Sequence, residues 1–272
     1  LSHIDEHEQR NFEFIIQNLF GKENDLGKII WDKRNPKGDS KAIGVQHEYI
    51  QLASKSYDIG KLTDNWIKRN KPNAQSILEK AQSLINRYGE VNEEVRKEFK
   101  HCVRKSKFSG GEKAYSLIDD EGRVFRPVSM AWPNKKKAPD EYFIPLTHPA
   151  TGQECPVPDR GWRNPPQTMR RLLDKGLILF GKDHNKIPNK KYLLSENIRE
   201  TLPSVMYDGR SDDAFFKNVE LSFENPKPYG TAEYLVEPII RSGGIIADYF
   251  AGSGTTGHAI INLERKDGVK RN

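Results

Sequence analysis

The stretch DYFAGSGTTGHAI, Asp248 to Ile260, decides the fold. Residues 245–250, IIADYF, read as a short buried strand, AGSGTTG as a tight loop and HAIINLERKDG as a helix. Strand, glycine-rich loop and helix together give the α/β crevice in which ligands bind beyond the carboxyl ends of strands. Gly252, Gly254 and Gly257 fit G-x-G-x-x-G, and the same stretch nearly fits a P-loop. A P-loop needs a lysine for the β/γ-phosphates and a hydroxyl for magnesium directly after its last glycine. Here those positions hold His258 and Ala259, so both working groups are missing.

A dinucleotide loop places a pyrophosphate at a helix N-terminus. Asp248, at the strand end, would repel it, and the acidic residue about 20 positions on would fall at or past the end of the sequence. S-adenosylmethionine carries a sulfonium and an ammonium group and no phosphate. Asp248 attracts those charges, the glycines let the backbone approach closely, and Phe250 walls the adenosine. The remaining alternative is a plain tight turn, although Ser253, Thr255 and Thr256 exceed what a turn requires.

Working outward, the 272 residues fit one large or two modest domains. Ten Tyr, twelve Phe and four Trp argue against wholesale disorder despite 30% charged residues. No apolar run approaches the roughly 20 residues of a membrane helix. Cys102 and Cys155 lie far apart with no zinc-like spacing, which fits a reducing cytoplasm. No metal site is expected. The net charge of +6 is unevenly placed: −1 over 1–57, +5 over 58–107, +4 over 108–201 and −2 over 202–272. A basic middle between near-neutral ends suits either a nucleic-acid-facing insertion or a merely solvated basic surface.

The pattern along the chain agrees with that division. RNFEFIIQNLFG (10–21) sets Phe12, Ile15, Ile16 and Leu19 on one helical face. KIIWDKR (28–34) and HEYIQLAS (47–54) read as strands. Residues 61–107 hold two charged amphipathic helices, with Asn73 and Asn92 as N-caps and Gly89 as a stop. FSGGEK (108–113) reads as a hinge, followed by short strands with a turn at Asp120–Gly122. In the Pro-rich run that follows, NPPQTMRRLLDKG reads as an Asn164-capped helix that stops at Gly176.

DYFAGSGTTGHAI resembles the donor-binding motif of amino-methylating DNA methyltransferases, commonly D-x-F-x-G-S-G-T-T. NPKP, Asn225 to Pro228, resembles the Lys-Pro loop that precedes that motif in their β-ordered group. IDEHEQRNFEFIIQNLFG, HEYIQLASK, HPATGQECPVPDRGW and FGKDHNKIPNKKYLL are similar to successive segments of the modification subunits of type III restriction systems. The resemblance covers most of the chain, more loosely over 58–107.

It implies an α/β fold: an incomplete Rossmann-like sheet for S-adenosylmethionine, formed by 1–57 and 202–272. A helical insertion, 58–107, and a target-recognition domain, 108–201, would interrupt it. Asp248, Phe250, Ala251, Gly252, Ser253, Gly254, Thr255, Thr256, Asn225, Lys227 and Pro228 would hold the cofactor. The implied reaction moves a methyl group to an exocyclic amino group, adenine N6 or, less often, cytosine N4, of a flipped base. Double-stranded DNA, a second copy of the chain and a restriction subunit are the implied partners, in a bacterial cytoplasm.

In the recognition region Lys135, Lys136 and Lys137 are candidates for phosphate contacts. Arg160, Trp162 and Arg163 are candidates for base reading or stacking. The family's catalytic tetrapeptide, [DNS]-P-P-[YFW], is absent; NPPQ (164–167) has Gln in place of the stacking aromatic. The 272 residues are therefore expected to be part of a longer protein and inactive alone. A DNA-recognition module that binds without transferring methyl is the alternative.

Overall fold

The computed structural model describes every residue except 35–41, 63–65, 219–222, 224, 225, 241 and 242. The chain forms two compact units, one of residues 1–69 with 199–272 and the other of 70–198. It begins with β1 (Ser2–Ile4), α1 (Gln9–Phe20), β2 (Asp25–Asp32), β3 (His47–Ala53), α2 (Tyr57–Lys61) and β4 (Lys68–Asn70). The second unit contains α3 (Ala74–Tyr88), α4 (Glu93–Lys105), α5 (Gly110–Lys113), β5 (Leu117–Ile118), β6 (Val124–Ser129), α6 (Pro166–Asp174), β7 (Ile178–Leu179) and β8 (Asn189–Leu193). The return path carries β9 (Arg199–Thr201), β10 (Val205–Tyr207), α7 (Asp213–Asn218), α8 (Tyr229–Val236) and α9 (Thr255–Asp267). The protein is thus mixed α/β. Among the described residues no helix is long and apolar enough to cross a membrane.

The first unit is built on a four-stranded sheet of order β1-β3-β2-β10. β3 pairs antiparallel with both β1 and β2, and β10 pairs parallel with β2. Period-two alternation makes these strands. Ile29 and Trp31 of β2, and Ile50 and Leu52 of β3, fall into one core with Met206 and Leu235. The same alternation places the charged Glu48 on the inward face two residues before Ile50. Its register partner across the sheet is Trp31.

One expectation fails in this unit. Residues 245–250 form no strand, and Ile245 and Phe250 are 85% and 94% exposed. Backbone hydrogen bonds join the start of this segment to the chain end, Ile246 N to Asn272 O and Asn272 N to Gly244 O. A strand needs a neighbour along its length to satisfy its backbone, and none of the described strands flanks it. Helix α1 forms as expected and ends at Gly21; on its apolar face Phe12 and Ile16 are half-buried and Ile15 and Leu19 exposed. Polar contacts tie it to β2, Gln17 Nε2 to Asp25 Oδ2 (2.9 Å) and Lys28 Nζ to Glu13 Oε2 (2.6 Å).

The second unit pairs a helical hairpin with an antiparallel sheet of order β5-β6-β8-β7. Ile77, Ala81 and Leu84 of α3 and Val95, Phe99 and Val103 of α4 recur at helical spacing. They share one core with Tyr115, Ile118, Val124 and Leu194. This shared core joins the helices to the strands in one compact unit. Asn92 caps α4 by accepting from Val95 N at 3.0 Å, and Gly89 ends α3 at φ +81°. FSGGEK is no hinge. Ser109 and Glu112 form a capping box on α5, and Glu112 also accepts from Asn73 N and Nδ2. Asn73, at the N-cap of α3, therefore lends its side chain to Glu112 and not to its own helix.

Asp119 anchors the turn between β5 and β6. Its carboxylate accepts from the backbone N–H of Glu121 and Arg123, from the Arg123 guanidinium at 2.7–2.8 Å and from Lys191 at 3.3 Å. Burial pushes this carboxyl up, but the hydrogen bonds from Arg123 and the charge of Lys191 outweigh it and hold it below the usual aspartate range.

Candidate functional site

The glycine loop forms as the entrance to α9. Gly252 and Gly254 adopt φ of +56° and +74°, a left-handed backbone that favours glycine. A Cβ built on Gly254 or Gly257 would meet nothing within 4 Å, so the loop presents bare backbone to open space. Asp248 Oδ1 accepts from Phe250 N at 3.1 Å, and Oδ2 accepts from Thr256 Oγ1 at 2.7 Å. Each carboxylate oxygen keeps a further acceptor position, and the Asp248 side chain is exposed. Phe250 and Ala251 are exposed beside it, and Ser253 bonds to Thr255 Oγ1 at 2.8 Å.

A second segment is tied to this loop. Thr255 Oγ1 donates to the Lys227 carbonyl at 3.1 Å. The next helix turn repeats the link, with the Tyr229 and His258 rings stacked at 4.6 Å. Pro228 is the N-cap of α8. Thus Lys227 and Pro228 lie against the loop that carries Ser253, Thr255 and Thr256. Asn225 lies outside the described residues.

The Lys227 side chain runs the other way, to the sheet. Its ammonium pairs with Glu48, which also binds Lys33 at 3.1 Å, and both lysines lie 5.1 Å from the centre of the Trp31 ring. Burial pushes the Glu48 carboxyl up, but the two lysines outweigh it and hold it below the usual range. Trp31 Nε1 donates to the Asp208 carbonyl at 2.8 Å. The Asp208 carboxylate accepts from Arg210 at 2.7–2.8 Å and from Thr231 Oγ1 at 2.7 Å. Burial raises this carboxyl too, and the Arg210 and Thr231 hydrogen bonds bring it below the usual range. A cleft of about 310 Å³ opens on Asp208, Arg210, Tyr207 and Gly230; the glycine loop is not part of its lining.

In the second unit, the run after Trp132 is brought beside Arg160–Arg163. Trp132 N donates to Gly161 O, Ala138 N to Arg160 O and Arg163 N to Met130 O. Arg160 Nη1 donates to Asn134 O at 3.2 Å. Lys135, Lys136, Lys137, Arg160 and Arg163 are exposed on this paired loop. Gly161 makes the approach possible, with φ +85° and a Cβ position 3.0 Å from Ala138 Cβ and 3.1 Å from the Phe143 ring. Trp162 is different. It is 1% exposed, belongs to the core with Phe125 and Met169, and donates from Nε1 to Ile144 O at 2.9 Å. Its ring is held as core, which leaves no face free to stack on a base. NPPQ is a helix start, one residue later than expected: Pro165 is the N-cap, Pro166 the first helical residue, and no side chain caps the helix. Among the described residues no cluster of three His, Cys, Asp or Glu is placed to hold a metal ion.

The model of the N6/N4 DNA methylase family matches residues 1–267. The chain belongs to that family. Among its relatives are the Mod subunits of the type III restriction-modification enzymes EcoP15I of Escherichia coli and StyLTI of Salmonella typhimurium. They are 30% identical over 271 residues and 25% identical over 279. The type II methyltransferase M.KpnI of Klebsiella pneumoniae is 26% identical over 285 residues. These alignments cover 97%, 98% and 98% of this chain, but 40%, 35% and 59% of the respective relatives. The chain therefore spans less than half the length of the Mod subunits it matches.

Sequence reasoning missed Glu48, Trp31 and Asp208. Glu48 was legible in principle, as an acid at the inward phase of an apolar alternation, Glu48–Ile50–Leu52. Its partners were not, because Lys227 is far along the chain. Asp208 and Thr231 carry no local signal of that kind.

Proposed function

We propose that this chain carries the donor-binding and DNA-facing parts of an S-adenosylmethionine-dependent DNA methyltransferase of the Mod-subunit kind. The observation that carries the proposal is the Thr255–Lys227 hydrogen bond. It joins two motifs, each read separately as donor-binding, beside the exposed Asp248 carboxylate. When bound, S-adenosylmethionine supplies a methyl group on a sulfonium. Asp248 attracts the cationic part of that ligand, Gly252, Gly254 and Gly257 offer backbone without side chains, and Phe250 covers the adenosine. Ala251 and Ser253 complete the loop, Thr255 and Thr256 hold its shape, and Lys227 and Pro228 form the opposing wall.

On this reading 1–57 and 202–272 contribute to a Rossmann-like sheet. The second unit reads the target, with Lys135, Lys136, Lys137, Arg160 and Arg163 against DNA phosphates and base edges. The acceptor is the N6 amino group of adenine, flipped out because it is otherwise held in the duplex. A second copy of the chain and a restriction subunit are the proposed partners.

Calorimetry tests the donor site. S-adenosylmethionine should bind at one site per chain, NAD should not bind, and Asp248→Ala should weaken S-adenosylmethionine about tenfold, as loss of a charge-assisted contact does. A folded protein that binds NAD instead, or neither ligand, overturns the reading. DNA binding without donor binding would leave a recognition module.

A further inference from the structure

Helix α4 carries a run of cations that its own packing does not use. Lys97, Lys100, Arg104 and Lys105 are spaced i, i+3, i+7 and i+8, which sets them on one side at 3.6 residues per turn. Val95, Phe99 and Val103 occupy the other side and are buried. Lys97, Arg104 and Lys105 are exposed and Lys100 is half-buried. Among the described residues none of the four makes a side-chain hydrogen bond or an ion pair.

The nearby acids are engaged elsewhere. Glu93 and Asp120 pair with Arg96, and Glu98 is held by Arg87 and Tyr88. Glu94 sits in the first turn, where it complements the helix dipole. The dipole also favours Arg104 and Lys105 in the last turn, but its effect does not reach back to Lys97 and Lys100. Like charges three and four residues apart repel on a helix surface. This face is therefore stabilised only when anions meet it.

We propose that the outward face of α4 is a phosphate track for duplex DNA, separate from the loops around Lys135 and Arg160. The proposal rests on the reading of the protein as DNA-binding. Residues 97 to 105 span about 12 Å of helix axis at 1.5 Å per residue. Over that length one strand of a B-form duplex carries about three to four phosphates, at ~3.4 Å of axis each. The four cations are about as many as the phosphates within that length. Such contacts carry no base identity, so the track supplies affinity for any duplex and leaves sequence reading to other loops.

The test is DNA binding by the full-length protein, measured against salt concentration on a random-sequence duplex. The variant combines Lys97→Gln, Lys100→Gln, Arg104→Gln and Lys105→Gln. A control removes four exposed charges elsewhere, by Arg10→Gln, Lys22→Gln, Lys55→Gln and Lys182→Gln. Each lost phosphate contact lowers the slope of log affinity on log salt by ~0.9. The α4 variant should therefore lose about 3 to 4 units of slope and bind about tenfold or more weakly at 0.15 M salt. The control should change the slope by less than one contact's worth. An unchanged slope in the α4 variant, or an equal loss in the control, overturns the track while leaving the DNA-binding reading intact. Wild-type protein that binds no duplex at low salt overturns both.

Discussion

Asp119 and Asp120 are neighbours in one turn and should behave as opposites. The Asp119 side chain is 3% exposed and accepts from two backbone amides, Arg123 and Lys191. Asp119→Ala strands two half-buried cations and two turn amides. Removing one partner of a buried charged network costs about 3–5 kcal/mol, and the partial exposure of Arg123 and Lys191 favours the lower end, ~3 kcal/mol. Asp120 is 95% exposed and pairs with Arg96 on the surface. Asp120→Ala should cost about 0–1 kcal/mol.

Each substitution removes one negative charge from the same turn, so effects of net charge cancel in the comparison. Urea unfolding followed by circular dichroism reads the difference. With an m-value of about 3 kcal/mol/M, Asp119→Ala should lower the midpoint by ~1 M and Asp120→Ala by less than ~0.3 M. The Asp119 effect should persist in 1 M salt, because screening reaches exposed pairs far more than buried ones. Its carboxyl is held below the ordinary 3.8, so the stabilisation is complete above that value. It is lost as pH falls through the lower folded value, and wild type and Asp119→Ala should converge there. Equal losses from the two substitutions, or a loss at Asp119 that salt abolishes, would refute the reasoning.

Two further outcomes concern the donor site. Thr255→Val removes the bond to the Lys227 carbonyl and should weaken S-adenosylmethionine about fivefold, at ~1 kcal/mol for a neutral hydrogen bond. Thr255→Ser should restore it, and calorimetry that finds the two variants alike removes the link from the account. Glu48→Gln frees the Lys227 ammonium, so donor affinity should fall at pH 7. Because the Glu48 carboxyl titrates below its ordinary 4.5, wild type should keep its advantage down to that region and lose it below. A gap that stays constant through acid pH argues against a charged anchor.

How much was legible follows from which signals are local. Strands β2 and β3, helices α3, α4 and α6, and the Gly89 stop were all readable, because alternation, helical spacing and glycine at a left-handed position are properties of short windows. Ile245–Phe250 was misread because an apolar run of six is compatible with a strand but does not supply its neighbours. Trp162 was a candidate for stacking on a base, beside Arg160 and Arg163. Its burial comes from the non-local bridge between Ala131 and Trp162. The glycine loop and the Lys-Pro loop were each recognisable. Their junction at Thr255, and the Glu48–Lys227 pair behind it, depend on register across the sheet and on contacts between distant parts of the chain.

The ribbon of β4 and β9 has a practical consequence for anyone exchanging the second unit. The chain leaves for residues 70–198 and returns from them on strands that lie side by side, about 4.8 Å apart. A graft of another segment of this size, joined at those two points, therefore needs no spacer. A cut at 107, in contrast, would divide the core that Val95 and Phe99 share with Ile118 and Val124. The exchangeable cassette is the whole of 70–198, hairpin included.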